Sequence, residues 1–163
     1  MTRDRVDHIL EQWRREMPEL DCSVMEIPGR MKRLTGHLER EIQRPFTGLG
    51  LPPGGFDVLA TLRRCGPPYR LSPNDLLAWM MVTSGTMTNR VDQLERLGLV
   101  AREPNPDDRR SVLVALTPQG HAVVDKALRL HVDNERRLLS PLSPEQRAQL
   151  ADLLRLWLAA FEP

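Results

Sequence analysis

The fold is decided by residues 83–120, which read TSGTMTNRVDQLERLGLVAREPNPDDRRSVLVALTPQG. Apolar side chains recur in its first half at three- and four-residue spacing, which predicts one buried face of an α-helix. They are Met87, Val91, Leu94 and Leu97. Thr83 or Ser84 can cap the N-terminus of this helix, and Gly98 suits the left-handed position that follows a helix end. The first half is therefore predicted to be a capped helix that ends at Gly98.

The second half of the stretch changes from helical to alternating periodicity. Leu99–Glu103 and Ser111–Leu116 are predicted strands, joined by a polar turn through Asn105–Asp108. Thr117 followed by Pro118 is a typical start of a new helix. Helix, strand, charged hairpin tip, strand and helix is the order of a winged helix. We therefore expect a mainly α fold with a small β wing.

Composition limits the classes of protein that remain. At 163 residues and 18.6 kDa the chain suits one domain, and its net charge of +1 means that any nucleic-acid binding depends on local clusters of charge. No apolar run approaches the length of a membrane span and no signal peptide is visible, so a soluble, cytoplasmic protein is expected. Cys22 and Cys65 lack metal-ligand spacing. We predict no metal site and no cofactor.

The remaining elements follow from periodicity and from Pro, Gly and capping residues. A second helix starts at Asp21 or Ser23, and Pro28 inside it predicts either a kink or a later start. The predicted elements are helices over Asp4–Met17, Asp21 or Ser23 to about Gln43, Phe56–Arg64, Ser72 to about Met81, Thr83–Leu97, Pro118–Leu139 and from Ser143 to the end, with a short strand at Tyr69–Leu71. The helices from Ser72 and from Thr83 form a helix-turn-helix pair. Four histidines are predicted on solvated helix faces: His8, His37, His121 and His131.

Two linked segments carry a family resemblance. VDQLERLGLVAR at 91–102 and DRRSVLVALTPQG at 108–120 resemble the signature of MarR-type transcription regulators. The resemblance implies a single MarR-type domain, in which residues 51–117 form the winged helix-turn-helix DNA-binding region and residues 1–50 and 118–163 form dimerisation helices. It also implies a repressor that binds a palindromic operator in double-stranded DNA.

The terminal helices agree with a dimer. Residues 153–161 read LLRLWLAAF, and a helix this apolar would leave a large exposed patch on a monomer. Packing within the chain is the alternative. The family resemblance favours terminal helices that interleave with those of a second copy. The dimer would then present two DNA-binding regions to a palindromic site.

The DNA-contacting residues are predicted at three places. Short polar side chains in the N-terminal half of a recognition helix suit base contacts, and glycine permits a close approach. In this helix they are Ser84, Gly85, Thr86, Thr88 and Asn89. Ser72, at the start of the preceding helix, is assigned to the same interface. At the wing tip the resemblance assigns Asp108 and Arg110 to a structural pair, which leaves Arg109 to reach a minor groove.

A second, narrower resemblance concerns a small-molecule effector. The urate-responsive branch of the family has an added N-terminal helix with a tryptophan, and the segments ILEQW, GFDVLATL, TNRV and GLVAR match its positions with Trp13, Asp57, Arg90 and Arg102. Urate is a planar monoanion that suits guanidinium donors and an aromatic wall. Asp57 can hold Arg90 before the ligand arrives. Each residue also has a structural alternative, namely core packing, a helix cap or a phosphate contact, and the preceding PPGG run can shift Asp57 by a turn.

Other functions fit these residues less well. A salicylate-like phenolic anion would suit the same type of pocket and is the nearest alternative. A redox sensor based on Cys22 or Cys65 needs an exposed thiol of lowered pKa, whereas Cys65 ends a helix, where the dipole raises the pKa of a thiol. The sequence contains no phosphate-binding glycine loop, no histidine pair at metal spacing and no nucleophile elbow, so no enzyme is predicted.

Overall fold

The computed structural model describes residues 3–80, 83–108 and 110–162, which fall into two compact units, 1–41 and 42–163. The helices are α1 (Arg5–Glu16), α2 (Glu26–Thr47), α3 (Gly55–Arg64), α4 (Pro73–Met80), α5 (Ser84–Arg96), α6 (Pro118–Leu138) and α7 (Pro144–Leu158), and a short 3-10 turn, Ser23–Met25, precedes α2. The strands are β1 (Arg70–Leu71), β2 (Val100–Pro104) and β3 (Val112–Leu116). In the described part of the chain no helix is long and apolar enough to cross a membrane.

The first unit has a small buried apolar cluster, Val6, Leu10 and Cys22, and a capping network around one arginine. Asp4 caps α1 in a capping box with Asp7. Arg30 of α2 contacts both carboxylates, with Nε 2.8 Å from Asp4 and Nη2 2.6 Å from Asp7. Pro28 is the third residue of α2, within the first turn, where a backbone N–H has no helical partner to lose. Of the two outcomes left open for Pro28, the later start is the one observed.

The second unit has a hydrophobic core to which α3 contributes most. Five side chains of α3 are buried, and Val58, Leu59 and Leu62 are fully inaccessible to solvent. Full burial of each such side chain stabilises the fold by about 1.5–3 kcal/mol. The core comprises Phe46, Leu51, Phe56, Val58, Leu59, Leu62, Leu76, Met87, Val91, Leu94, Leu99, Val100, Val114, Val124 and Ala127.

A three-stranded antiparallel sheet completes the unit, with β3 between β1 and β2. The long hairpin pairs Val100 with Leu116 and Pro104 with Val112, while the two-residue β1 pairs Arg70 with Ala115. Pro104 lies at the end of an edge strand, where its missing N–H does not interrupt the ladder. The hairpin is the predicted wing, so the mainly α fold with a small β wing is confirmed.

One junction connects α5, the wing and α6. Gly98 ends α5 with a left-handed φ of 69°. The hydroxyl of Thr117 donates to the Gly98 carbonyl at 2.7 Å and accepts from the Gly120 N–H at 2.9 Å. A Cβ on Gly120 would collide with the carbonyl oxygen of Leu99. Glycine is therefore required where α6 passes the residue that precedes β2.

Some predicted boundaries and faces differ from the structure. The second helix continues through Pro45 to Thr47 rather than ending near Gln43. The prediction that Leu97 lies on the buried face of the recognition helix is wrong, because its side chain is 46% exposed at the helix C-cap. The predicted end of the preceding helix at Met81 lies outside the described residues.

Candidate nucleic-acid interface

The recognition helix α5 has one buried face and one polar, exposed face. Met87, Val91 and Leu94 are 2%, 3% and 0% exposed, so they anchor the helix in the core. Thr83 caps the N-terminus, since its Oγ1 accepts from the Thr86 N–H at 3.4 Å. The exposed side of the first two turns carries the predicted DNA-contacting residues Ser84, Gly85, Thr86, Thr88 and Asn89. The N-terminal half of α5 therefore offers short polar side chains and a positive helix end to solvent.

Gly85 is not needed for packing against the described residues. A Cβ built on it would meet none of their atoms within 4 Å, and its backbone is helical. Glycine in a helix costs about 0.5–1 kcal/mol relative to alanine. A glycine with no packing reason, on the exposed face of a recognition helix, suits close approach by another molecule.

Local hydrogen bonds orient the polar side chains of α5. The Thr88 hydroxyl donates to the Ser84 carbonyl at 3.1 Å, and the Gln93 amide donates to Oδ1 of Asn89 at 3.3 Å. An amide held in this way still has its NH2 group to donate to a base edge. The helix thus presents Asn89 in a defined orientation.

Ser72 has a clear role at the start of α4. Its hydroxyl donates to Oδ2 of Asp75 at 2.7 Å and accepts from the Asp75 N–H at 3.1 Å. The side chain is therefore the N-cap of α4 in this structure. Its assignment to the DNA interface stays a prediction.

The wing turn is held by Asn105 and Ser111 as well as by Asp108. The Asn105 side chain donates to the Ser111 hydroxyl at 3.0 Å, and Ser111 donates through N–H and hydroxyl to the Asp108 carbonyl. Oδ1 of Asp108 accepts from the Arg110 N–H at 3.0 Å and lies 3.6 Å from Arg110 Nε. The Arg110 side chain is 95% exposed, so this ion pair adds little stability. Arg109 lies outside the described residues.

The Asn105–Ser111 contact is not predicted from the sequence. The polar turn is recognisable, but only the registered hairpin shows that Asn105 and Ser111 lie opposite each other. Their spacing of six residues across a predicted turn is the signal that could have indicated it.

Asp57 and Arg90 are brought together, as the effector resemblance predicts. Asp57 lies in the first turn of α3, and its Oδ2 is 3.7 Å from Nη1 of Arg90 on α5. The N-cap of α3 is Gly54, with a φ of 71°, so Asp57 is not the cap. The Arg90 guanidinium lies against Gly54, where a Cβ would overlap it. Burial raises the pKa of Asp57 above its usual 3.8, and Arg90 acts against that rise. A half-exposed carboxylate with a raised pKa is thus kept beside the recognition helix.

Arg102 belongs to β2 and contacts a different part of α5. From β2 it contacts Asp92 at 2.5 Å and also Glu95, both of them on α5. At about 100° per residue these two positions are on the side of α5 opposite Arg90. The structure therefore joins Asp57 to Arg90 and holds Arg102 on a separate face. Trp13, in the first unit, is 40% exposed on α1.

Two of the histidines are packed rather than solvated, which corrects the expectation for His121 and His131. The His131 ring lies 4.9 Å from the Phe56 ring, its Nε2 is 3.2 Å from Glu135, and its Nδ1 is buried with no hydrogen-bond partner among the described residues. The His121 ring meets Tyr69 edge-on at 4.4 Å. The spacing of Val124, Ala127 and His131 is the overlooked sign that His131 lies on a buried face.

Neither the cysteines nor the residues that could bind a metal form a reactive centre in the described part of the chain. The Cys65 thiol donates to the Leu62 carbonyl at 2.9 Å, and partial desolvation raises its pKa. Cys22 is buried. Groups of His, Cys, Asp and Glu that could hold a metal ion are absent from the described part of the chain.

Comparisons with known proteins place this geometry in a family. The model of the MarR family matches residues 51–112. The HTH-type transcriptional regulator PecS of Dickeya dadantii is 40% identical over 149 residues, which are 91% of this chain and 90% of that protein. A mutant form of MarR from E. coli, solved in complex with operator DNA, is 30% identical and has a TM-score of 0.72, covering 85% of this chain and 99% of that one.

A third similarity is to BpsR of Bordetella bronchiseptica. The DNA binding of that protein is regulated by 6-hydroxynicotinic acid. It is 26% identical with a TM-score of 0.70, and the match covers 80% of this chain and 91% of that one. The chain therefore belongs to the MarR family of winged-helix transcription regulators, and it is a DNA-binding regulator rather than an enzyme.

Proposed function

We propose that this protein is a repressor that binds a palindromic operator as a homodimer and is released by a small anionic effector, with urate as the leading candidate. The observation that carries the effector part is the Asp57–Arg90 pair at 3.7 Å, because it connects the recognition helix α5 to α3. An anion that attracts Arg90 competes with Asp57 for the same guanidinium. The competition would act directly on the helix that reads DNA.

The dimer is supported by exposed apolar surface on the terminal helices. On and just after α7, Leu153, Leu156 and Phe161 are 64%, 75% and 72% exposed in the single chain. Such a contiguous apolar face is rare on a soluble monomer. A second copy, joined through the terminal helices, covers it and supplies the second α5 needed for a two-fold symmetric operator.

The chemistry of urate suits the residues assigned to it. A planar monoanion is bound well by the fork of an arginine, and Trp13 is 40% exposed. Arg102 already contacts Asp92 and Glu95, so it can join a ligand only by giving up those two carboxylates. We therefore assign the primary anion contact to Arg90 and a secondary one to Arg102.

A salicylate-like aromatic acid is the second candidate effector. It is favoured by the similarity to BpsR, whose DNA binding is regulated by 6-hydroxynicotinic acid, an aromatic acid. A cysteine-based redox response is less well supported, because desolvation raises the pKa of Cys65, whereas a reactive thiol needs a lowered pKa.

Titration of urate and of salicylate against the protein on labelled DNA from its own upstream region tests the proposal. Urate is expected to release the parent protein. Trp13→Ala should bind DNA as the parent does but need more urate for release, whereas Arg90→Gln should be impaired in both binding and response. Arg96→Gln, on the exposed C-terminal turn of the same helix, is the matched control for the loss of a charge on α5.

The two effectors are separated by the same titration. Release of the parent by salicylate but not by millimolar urate replaces urate with an aromatic acid. A Trp13→Ala variant that responds to urate like the parent contradicts the assignment of Trp13.

A further inference from the structure

A cavity of about 400 Å³ lies at the C-terminal end of α3, beside β1 and α4. It belongs entirely to the second unit, and none of its lining residues has been assigned to DNA or effector binding. Among the described residues, those that line it are Thr61, Arg64, Cys65, Leu71 and Trp79. Its volume is within the range of small-molecule sites in proteins.

Trp79 forms an accessible aromatic wall. It is 65% exposed, compared with 40% for Trp13 and 41% for Trp157, so it is the most exposed of the three tryptophans. On α4 the buried anchor is Leu76, whereas Trp79 projects from the last turn of the helix. The indole is therefore available to stack on a planar ligand.

Arg64 places a positive charge over this wall. Its guanidinium carbon is 5.9 Å from the centre of the Trp79 ring. The neighbouring Arg63 is paired with Asp125 at 2.8 Å, and Arg90 and Arg102 also have carboxylate partners. Among the described residues Arg64 has no ion-pair partner. Its donors remain available for a carboxylate from outside the chain.

The rest of the lining offers little else to a polar ligand. Thr61 is 3% exposed, and its hydroxyl donates to the Asp57 carbonyl at 2.7 Å. The Cys65 thiol donates to the Leu62 carbonyl, and Leu71 is apolar. The cavity thus combines one guanidinium with a flat, largely apolar surface. A planar ring that carries a single carboxylate matches both features, since the two carboxylate oxygens fit the fork of arginine.

We propose that this cavity is a second ligand site, which binds small planar aromatic carboxylates with the ring on Trp79 and the carboxylate on Arg64. It does not share a side chain with the Asp57–Arg90 pair, although the charge of Arg64 acts on the Asp57 carboxylate and lowers its pKa. The carboxylate is the favoured anion over a phenolate, because a phenolate has one oxygen and cannot use both arms of the guanidinium.

Binding of 2-naphthoate to the full-length protein tests the site. Calorimetry gives the affinity, and the NMR signal of the Trp79 indole N–H, identified by its loss in Trp79→Phe, reports the location. We expect this signal to shift with 2-naphthoate and to shift much less with the uncharged 2-naphthamide. Arg64→Gln should weaken 2-naphthoate binding by about tenfold, the size expected for a charge-assisted hydrogen bond. Arg129→Gln, on the exposed face of α6, should leave it unchanged.

Two further variants separate this site from its alternatives. Trp79→Leu should also weaken binding, and its folding is checked by circular dichroism, which should be unaffected at so exposed a position. Asp57→Asn should bind 2-naphthoate at least as tightly as the parent does, because it removes a negative charge that interacts with Arg64. The proposal is overturned if Arg64→Gln and Arg129→Gln bind equally, if the Trp13 signal shifts in place of that of Trp79, if Asp57→Asn loses binding, or if no binding is detected at millimolar ligand.

Discussion

Replacing Gly85 with alanine should separate the stability of the fold from its DNA affinity. The new Cβ would meet no atom of the described part of the chain within 4 Å, and the backbone is already helical, so no strain is expected. The gain in the free energy of unfolding should be about 0.5 kcal/mol, the lower end of the usual range, because Gly85 lies in the first turn. For a chain of this size that gain raises the melting temperature by about 1–2 °C, measurable by calorimetry.

DNA affinity should fall in the same variant. If the methyl group costs about 1 kcal/mol at each half-site, the proposed dimer loses about 2 kcal/mol, or about thirtyfold in Kd. Fluorescence anisotropy with a labelled operator measures this loss.

Gly36→Ala is the matched control for Gly85→Ala. Gly36 also lies inside a helix, and the nearest atom to a built Cβ, from Arg40, is 3.9 Å away. The control should gain stability without losing affinity. If Gly85→Ala binds operator as tightly as Gly36→Ala, the first turn of α5 does not approach DNA closely and its assignment is wrong.

Three other predictions concern the wing, the carboxylate at α3 and the terminal helix. Arg109→Ala should weaken DNA binding and reduce the salt slope by about 1, whereas Asp108→Ala should instead lower wing stability, measured by hydrogen exchange, because it removes the 3.0 Å bond to the Arg110 N–H; equal, purely electrostatic losses would refute this division. Burial raises the pKa of Asp57 in the folded protein, so Asp57 contributes most to the free energy of unfolding below pH 3.8, where it is protonated. This contribution is lost as pH rises through the folded pKa. Asp57→Asn should therefore unfold at a higher temperature than the parent at pH 7 but not below pH 3.8, and a lower melting temperature at pH 7 would contradict the direction. Truncation after Ser140 should abolish the dimer and folding, and a stable folded monomer, observed by ultracentrifugation, would refute the role of α7.

Local chemistry made much of the fold predictable. Thr83, Thr117 and Ser143 cap α5, α6 and α7 as their positions before helical sequence predict. Leu97 shows where periodicity fails. At about 100° per residue it lies at the margin of the stripe formed by Met87, Val91 and Leu94, and the chain turns away immediately after it. A marginal position at a helix end is decided by what the next element covers.

The candidate sites were predictable only where a family pattern joined distant segments. The Asp57–Arg90 pair follows from such a pattern, and the contact is present. The contacts of Arg102 with Asp92 and Glu95 depend on how β2 leaves α5, which periodicity does not specify. The approach of Arg64 to Trp79 likewise depends on the packing of α3 against α4, so no local signal points to it.

The junction at Thr117 has a consequence for how motion can spread through the second unit. One hydroxyl bonds to the end of α5 and to the first turn of α6, and Gly120 leaves no space between α6 and Leu99. At this point α6 and the recognition helix α5 are joined by direct contacts and not by a flexible linker. We therefore expect a rotation of α6 to move the base of the wing and the C-terminus of α5 with it. We expect a glycine-rich insertion between Leu116 and Thr117 to leave α5 and α6 folded but to break the connection between them. A rotation of α6 would then no longer move the recognition helix α5.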